Sequence, residues 1–512
     1  MSRILSVILP NGIAQRIFPG THRTSYVPSL PCLRLLLTVW AGLVSIDTLP
    51  DELLLRVFDF DRVIYLDGLA APDRLWRPSL YWGWHRLVHV CRRWRSVVFK
   101  SPTFLDLKLV CGPHTLVQFT RLWPPLPIIL RGNYDGLLPG DYDFDAAIVH
   151  PNRVCEINLQ LTRPQLRRLV SVMQEQFPAL IHLTLGFLYN DGGPTWGLSG
   201  GFLGGSAPLL QSLELDYIPF PALPKLLLST NSLIRLTLKN IPHSGYISAK
   251  VIVTGLGALA NLKYLIINFK SPTSCPNRGS PSLPPPTRIT LPTLTRFEFK
   301  GTSEYLEDFV ARVDAPLLDS IYITFFHQLI FALPQLARFT SRTTMFQELK
   351  EAHVDFDNNV VHVETLPPIR TFDEKSGLEI SCKELDWQLS SLEQVFAPFF
   401  PSIHMVEHLY IYGSRNLPTQ RLYDIENMQW LELFDPFIAA KNLYLSKKFA
   451  PLIAPALQEL VGGRTAEVLP TLQNIYLEGP WLSEPIQEGI QKFVVARQDA
   501  GHPVTIFLWE RF

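Results

Sequence analysis

Leu210-Gln-Ser-Leu213-Glu-Leu215 is followed 23 residues later by Leu233-Ile-Arg-Leu236-Thr-Leu238, the same pattern of apolar, two others, apolar, one other, apolar. It recurs at Val154/Ile157/Leu159, Leu180/Leu183/Leu185, Leu262/Leu265/Ile267, Leu294/Phe297/Phe299, Leu318/Ile321/Ile323 and Leu349/Ala352/Val354. Further copies stand at Val406/Leu409/Ile411, Ala440/Leu443/Leu445 and Leu472/Ile475/Leu477. From Leu180 to Leu349 the steps are 30, 23, 29, 32, 24 and 31 residues, and a weaker copy near Leu378–Ile380 fills the double-length gap before Val406. Alternating apolar residues make a short strand with one buried face. One such unit cannot bury its leucines alone, so the units must stack into a parallel sheet. Proline precedes several strands (Pro178, Pro208, Pro292, Pro316, Pro470), where it ends the preceding helix.

This pattern resembles the leucine-rich repeat, with several steps longer than ~20–29 residues and the usual asparagine mostly missing. The resemblance implies an α/β fold in which residues 151–512 form an irregular leucine-rich-repeat solenoid with a curved parallel sheet. Residues between the leucines would face outward on its inner side. Tyrosine recurs in that register, and tyrosine and arginine are the types enriched at binding hot spots. Arg235, Tyr264, Arg296, Tyr322, Tyr410, Tyr444 and Tyr476 are therefore the candidate substrate-binding residues. The charges there (Arg235, Lys239, Arg296, Glu298, Glu351) read as mixed. Glu484–Ala500 and Val504–Trp509 are expected to close the array as a helix and a strand. Two stretches are expected to be loops, the glycine-rich Asn190–Ser206 and the Pro/Ser-rich Ser271–Pro292.

A second signature precedes the repeats: Leu49-Pro50-Asp51-Glu52-Leu53-Leu54-Leu55-Arg56-Val57-Phe58, then Leu87-Val88-His89-Val90-Cys91-Arg92-Arg93-Trp94. Pro50 and the acidic pair mark a helix start. Leu53, Leu54, Val57 and Phe58 give one apolar stripe; Leu87, Val90, Cys91 and Trp94 give another. The pair resembles the F-box, the helical module that docks onto the Skp adaptor of cullin-type ubiquitin ligases. That resemblance implies adaptor contacts through Leu49, Pro50, Leu53, Leu54, Val57, Phe58, Val90, Cys91 and Trp94. The intervening Asp59–His85 is longer than a compact F-box connection and rich in aromatics and proline. The domains expected are 1–45 as an extension, 46–100 as the helical module, 101–150 as connecting strands (Leu105–Leu109 and Pro127–Leu130), and 151–512 as the repeats.

Lysine plus arginine balances aspartate plus glutamate at 46 each, giving no general electrostatic reason to bind nucleic acid or an anionic membrane. Six scattered cysteines form neither a disulfide framework nor a zinc site, and no Asn-x-Ser/Thr sequon occurs, in keeping with a reducing compartment, cytoplasm or nucleus. Leu35–Ile46 is apolar but only 12 residues long, against the ~20 that span a bilayer. Gly197-Leu-Ser199-Gly-Gly201 fits the nucleophile-elbow spelling without its strand and helix context. His353, His362 and Glu364 are the nearest approach to a metal cluster and read better as solvated strand ends. No catalytic or cofactor motif emerges. The expected function is substrate recognition in a Skp–cullin–F-box ligase, with no enzyme activity, cofactor or metal; the alternative is a repeat scaffold whose F-box-like helices cap its N-terminal end.

Overall fold

The computed structural model describes residues 48–67, 83–111, 123–132, 150–187, 197–275, 288–328, 330–343, 349–366, 376–382, 385–413, 425–461, 467–479 and 484–510. The apolar run Leu35–Ile46 and the first part of the glycine-rich stretch lie outside them. The chain divides into two compact units, Met1–Arg131 with Arg153–Cys155, and Gly132–Asn152 with Glu156–Phe512.

Among the described residues the first unit holds three helices, α1 (Asp51–Asp67), α2 (Gly83–Val88) and α3 (Arg92–Lys100), then strand β1 (Leu109–Cys111) parallel to β2 (Ile128–Gly132). Phe58 of α1 and Trp94 of α3 meet with ring centroids 4.8 Å apart, and both are buried with Leu49, Leu54 and Val98. Arg93 ties α3 to the start of α1: its guanidinium donates to Asp51 Oδ1 at 2.8 Å and also to the Leu49 carbonyl. Trp84, Phe99 and Trp123 form a second aromatic knot, with the Trp84 indole donating to the Lys108 carbonyl at 3.2 Å. Two expectations change here. Helix α1 does not stop at Phe58 but runs on to Asp67, so the long insertion begins as helix. The second stripe, Leu87 to Trp94, does not lie on one helix: the chain turns at His89–Val90, and Cys91 becomes the N-cap of α3, its sulfur accepting the Trp94 amide.

In the second unit the elements follow as β3 (Val154–Leu161), α4 (Arg163–Val172), β4 (His182–Phe187), β5 (Ser212–Asp216), α5 (Leu223–Leu227), β6 (Arg235–Ile241), α6 (Ala249–Leu256) and β7 (Tyr264–Phe269). Then come β8 (Ile289–Thr290), β9 (Arg296–Gly301), α7 (Ser303–Val310), β10 (Val313–Asp314), β11 (Ser320–Phe326), α8 (Pro334–Thr340), β12 (Glu351–Asp357), β13 (Val360–Leu366) and β14 (Ser376–Ser381). The chain closes with α9 (Leu385–Phe399), β15 (His408–Gly413), α10 (Asn427–Phe434), β16 (Asn442–Leu445), α11 (Ala450–Glu459), β17 (Asn474–Glu478), α12 (Glu484–Asp499) and β18 (Thr505–Trp509). The leucine pattern sets the register across the sheet. Ile157, Leu183, Leu213, Leu236, Leu265, Phe297 and Ile321 are mutual partners on successive strands, all buried. Helices cover this row: Phe297 stacks on Phe309 at 5.3 Å and Phe299 on Tyr305 at 5.8 Å.

Within the two parallel runs, neighbouring repeats are also joined just before the strands. The carbonyl of Gln211 accepts the amides of Ile234 and Arg235; Ile234 accepts from Lys263 and Tyr264, and Lys263 from Thr295 and Arg296. The same fork recurs later, where Lys350 accepts from Glu407 and His408, Glu407 from Lys441 and Asn442, and Lys441 from Gln473 and Asn474. Each fork satisfies one carbonyl and two amides where the chain turns into a strand.

The strand order is β3-β4-β5-β6-β7-β9-β11-β14-β13-β12-β15-β16-β17-β18. The weak copy at Leu378–Ile380 is thus a true member of the sheet, but it does not follow Leu349 in space. Strand β14 lies beside β11, β13 runs antiparallel between β14 and β12, and β12 pairs with β15. The reversal is made by Asn358-Asn359, the two residues between the partners Asp357 and Val360 of two alternating runs. The second half of the glycine-rich stretch is also not loose: Leu198, Phe202 and Leu203 are buried. Ser199 there donates to Gln174 at 3.1 Å within turns rather than at a strand-to-helix corner.

The C-terminal helix and strand close the array through Arg497, whose side chain is fully buried. Its Nη2 donates to the carbonyls of Pro470 and Leu472 at 3.2 Å and of Leu469 at 3.4 Å. Arg497→Ala should destabilise the protein by about 2–4 kcal/mol, because it strands buried carbonyls and leaves a cavity. Hydrogen exchange should show β17 and β18 losing protection first; unchanged protection there would remove Arg497 from this role.

Candidate functional site

The polar sides of the strands form one continuous open face whose residues are placed by register. One row reads Thr184, Glu214, Thr237, Ile266, Glu298, Tyr322, Gly377, Glu364, His353, Tyr410, Tyr444, Tyr476 and Phe507. The last five members stack. His353 lies on Tyr410 at 4.2 Å with planes 1° apart, Tyr410 on Tyr444 at 4.1 Å, Tyr444 on Tyr476 at 4.3 Å, and Tyr476 on Phe507 at 5.2 Å. Strands repeat every ~4.8 Å, so identical positions carrying flat rings are driven into offset stacks worth about 0.5–1.5 kcal/mol per pair beyond area burial. Trp509 closes over the ladder edge-on, 5.6 Å from Tyr444 and 6.3 Å from Tyr410.

Tyr322 stands on the same row but outside the stack. Its ring lies across Gly377, where an added Cβ would come within 2.4 Å of the ring. Glycine is therefore required there, and it lets the Tyr322 hydroxyl donate to Glu379 Oε2 at 3.0 Å and approach His362 Nδ1 at 3.2 Å. Burial first, and then the nearby carboxylates Glu379, Glu364 and Glu298, hold the Tyr322 phenol well above its ordinary pKa. The Tyr444 phenol is likewise raised, by burial first and then by Tyr410 and Tyr476.

The sequence candidates for substrate binding fall into two groups. Arg235, Tyr264 and Arg296 are partners on a neighbouring row, two residues towards the strand starts, with the Arg235 guanidinium 4.4 Å from the Tyr264 ring centroid. Tyr322, Tyr410, Tyr444 and Tyr476 share the row of the ladder. Sequence reasoning left His353 and Phe507 out of the stack, and left Gly377, His362, Glu364 and Glu379 out of the site. His353 and His362 are not solvated strand ends: they sit mid-sheet on adjacent strands, half-buried, in a network with Glu351, Glu379 and Tyr412. Among the described residues no group of three or more His, Cys, Asp or Glu could hold a metal ion. No helix among them is long and apolar enough to cross a membrane.

In the helical unit the nine adaptor candidates also divide. Leu49, Leu54, Phe58 and Trp94 are interior, and Val90 is 44% exposed. Pro50 is exposed, while Leu53, Val57 and Cys91 are half-buried.

No protein-family model matches the chain, and no curated protein matches it. Among solved structures it is similar to the leucine-rich repeat-containing protein LegL7 from Legionella pneumophila, at 15% identity over 70% of this chain and 95% of that one, with a TM-score of 0.25. A likeness that slight carries no argument. The leucine-rich-repeat-like character rests on this chain's own register: one strand per repeat in a parallel-dominated sheet with helices between.

Two outcomes test the ladder. Tyr444→Ala should split the stack, lower stability by about 2–4 kcal/mol and diminish the near-ultraviolet circular dichroism, while Tyr444→Phe should keep both nearly intact. Because the folded phenols of Tyr322 and Tyr444 titrate above the unfolded value near 10, their contribution is complete below pH ~10 and is lost as pH rises beyond it. Ultraviolet titration should find these two tyrosines still protonated at a pH where exposed tyrosines have ionised.

Proposed function

We propose that this chain is the substrate-recognition subunit of a Skp–cullin–F-box ubiquitin ligase, acting in the cytoplasm or nucleus. The observation that carries the reading is the sorting of the F-box-like residues in the helical unit. Phe58 and Trp94 hold α1 and α3 together from inside. Pro50, Leu53, Val57, Val90 and Cys91 keep partial or full exposure. Exposed apolar side chains on a small, well-packed helical unit are what a docking partner would cover. The repeat face would hold a protein substrate, with the rigid aromatic ladder as anchor. The chain would contribute proximity alone: it brings substrate beside the ligase's other subunits, which carry out ubiquitin transfer.

Val90→Asp combined with Leu53→Asp changes the proposed docking surface and spares the Phe58–Trp94 core. In an affinity pull-down with a Skp-type adaptor and cullin, the wild type should recover both. The double variant should recover at least about tenfold less, since each charge must be desolvated against an apolar partner. Equal recovery with native circular dichroism would sink the ligase reading and leave the repeat scaffold capped by its own helices.

A further inference from the structure

The open face of the sheet is not uniformly charged. On strands β3 to β9 it mixes signs: Arg235, Lys239, Arg296 and Lys300 stand among Glu156, Glu214, Asp216 and Glu298, with Lys239 paired to Glu214 at 2.8 Å. From β12 to β18 the strand residues on this face include six carboxylates, Glu351, Asp355, Asp357, Glu364, Glu379 and Glu478, and neither lysine nor arginine. The aromatic ladder runs through this acidic half alone.

We infer that the half of the sheet face running from Tyr322 to Phe507 docks an extended, arginine- or lysine-rich segment of a protein partner. The inference deepens the proposed function and rests on it, naming the chemistry of the substrate. Charge complementarity selects the occupant, because an acidic segment would have to bring its carboxylates against six of like charge. The ladder supplies the platform. Its rings are already immobilised by one another, so a partner loses little of its binding energy to ordering them. Size agrees as well: β11 to β18 span seven inter-strand steps. At ~4.8 Å each these make about 34 Å, covered by about ten residues of extended chain. Glu364 and Glu379 stand diagonally across the paired strands β13 and β14, since Glu364 partners Gly377 and His362 partners Glu379. A basic side chain lying between them would meet two anions at once.

The test uses the full chain and three fluorescein-labelled peptides of about ten residues. One alternates arginine and leucine, one has serine in place of arginine, and one has glutamate. By fluorescence anisotropy the arginine peptide should bind at least about tenfold tighter than the serine peptide, weaken as salt rises, and leave the glutamate peptide without measurable binding. Glu364→Gln with Glu379→Gln should weaken the arginine peptide about tenfold at an unchanged melting temperature, whereas Glu214→Gln on the mixed half should not weaken it. Serine and arginine peptides binding equally would overturn the inference. So would undiminished binding by the folded double variant, or an equal loss in Glu214→Gln. Should the double variant fail to fold, the peptide comparison on the wild type decides. Adaptor recovery is read separately, so a failed pull-down with selective arginine-peptide binding removes the ligase role and keeps this site.

Discussion

The register of the two parallel runs of the repeat unit depends on the forked carbonyls at their strand entrances. Backbone groups at a turn into a buried strand must be paired, and in these runs they are paired by the next repeat rather than by their own. The fork fixes where the next strand starts relative to the last, which fixes the register. Register then decides which side chains meet. The buried leucines fall into line on the helix side, and the residues between them fall into line on the open side. A one-residue slip would exchange the two faces and expose every leucine. The hydrophobic row and the polar row are therefore consequences of the same constraint.

The aromatic ladder follows from that alignment. Strand spacing near 4.8 Å is slightly wider than ring-stacking distance, and the rings close the difference by leaning, as the 4.1–4.3 Å centroid separations between the tyrosines record. Phe507, at 5.2 Å and 21° from its neighbour, marks the looser end, where Ile506 and Leu508 are also exposed. Inside the ladder the rings rigidify a face that would otherwise carry mobile side chains. In the middle of the sheet, Gly377 gives up its side chain so that Tyr322 can reach Glu379 on the next strand and His362 on the one beyond.

Much of the sheet was legible because leucines alternating with polar residues have one physical use, to bury one face of a strand. The tyrosine register was legible for the same reason, since it is the complement of the leucine register. The strand order was not. The alternation in Glu351–Asp357 is common to every strand, and only Asn358-Asn359 between two alternating runs distinguishes a hairpin from another repeat. Without that order His353 could not be placed beside Tyr410, and the acidic half of the face looked like part of a mixed surface. In the helical unit the apolar spacing was plain. Which side of each stripe turned inward was not, because Leu54 and Leu53 are equally apolar, and only packing against Trp94 and its neighbours separates them.

The reversed run β12–β13–β14 has a consequence for how the chain is made. In a simple repeat array each new strand finds its neighbour already in place, so assembly proceeds by short loops from one end. Here the slot beside β11 is filled by β14, which is synthesised only after β12 and β13. Ribosomal emergence therefore leaves the edge of β11 open for some fifty residues (Phe326 to Ser376) of further synthesis, and an open edge is a template for wrong pairing. Residues 320–326 end that strand with Phe325 and Phe326, both buried in the finished protein, so the growing chain carries an apolar edge through that wait. The reversal that gathers carboxylates at the centre of the sheet face thus also makes this a point where nascent chains need shielding.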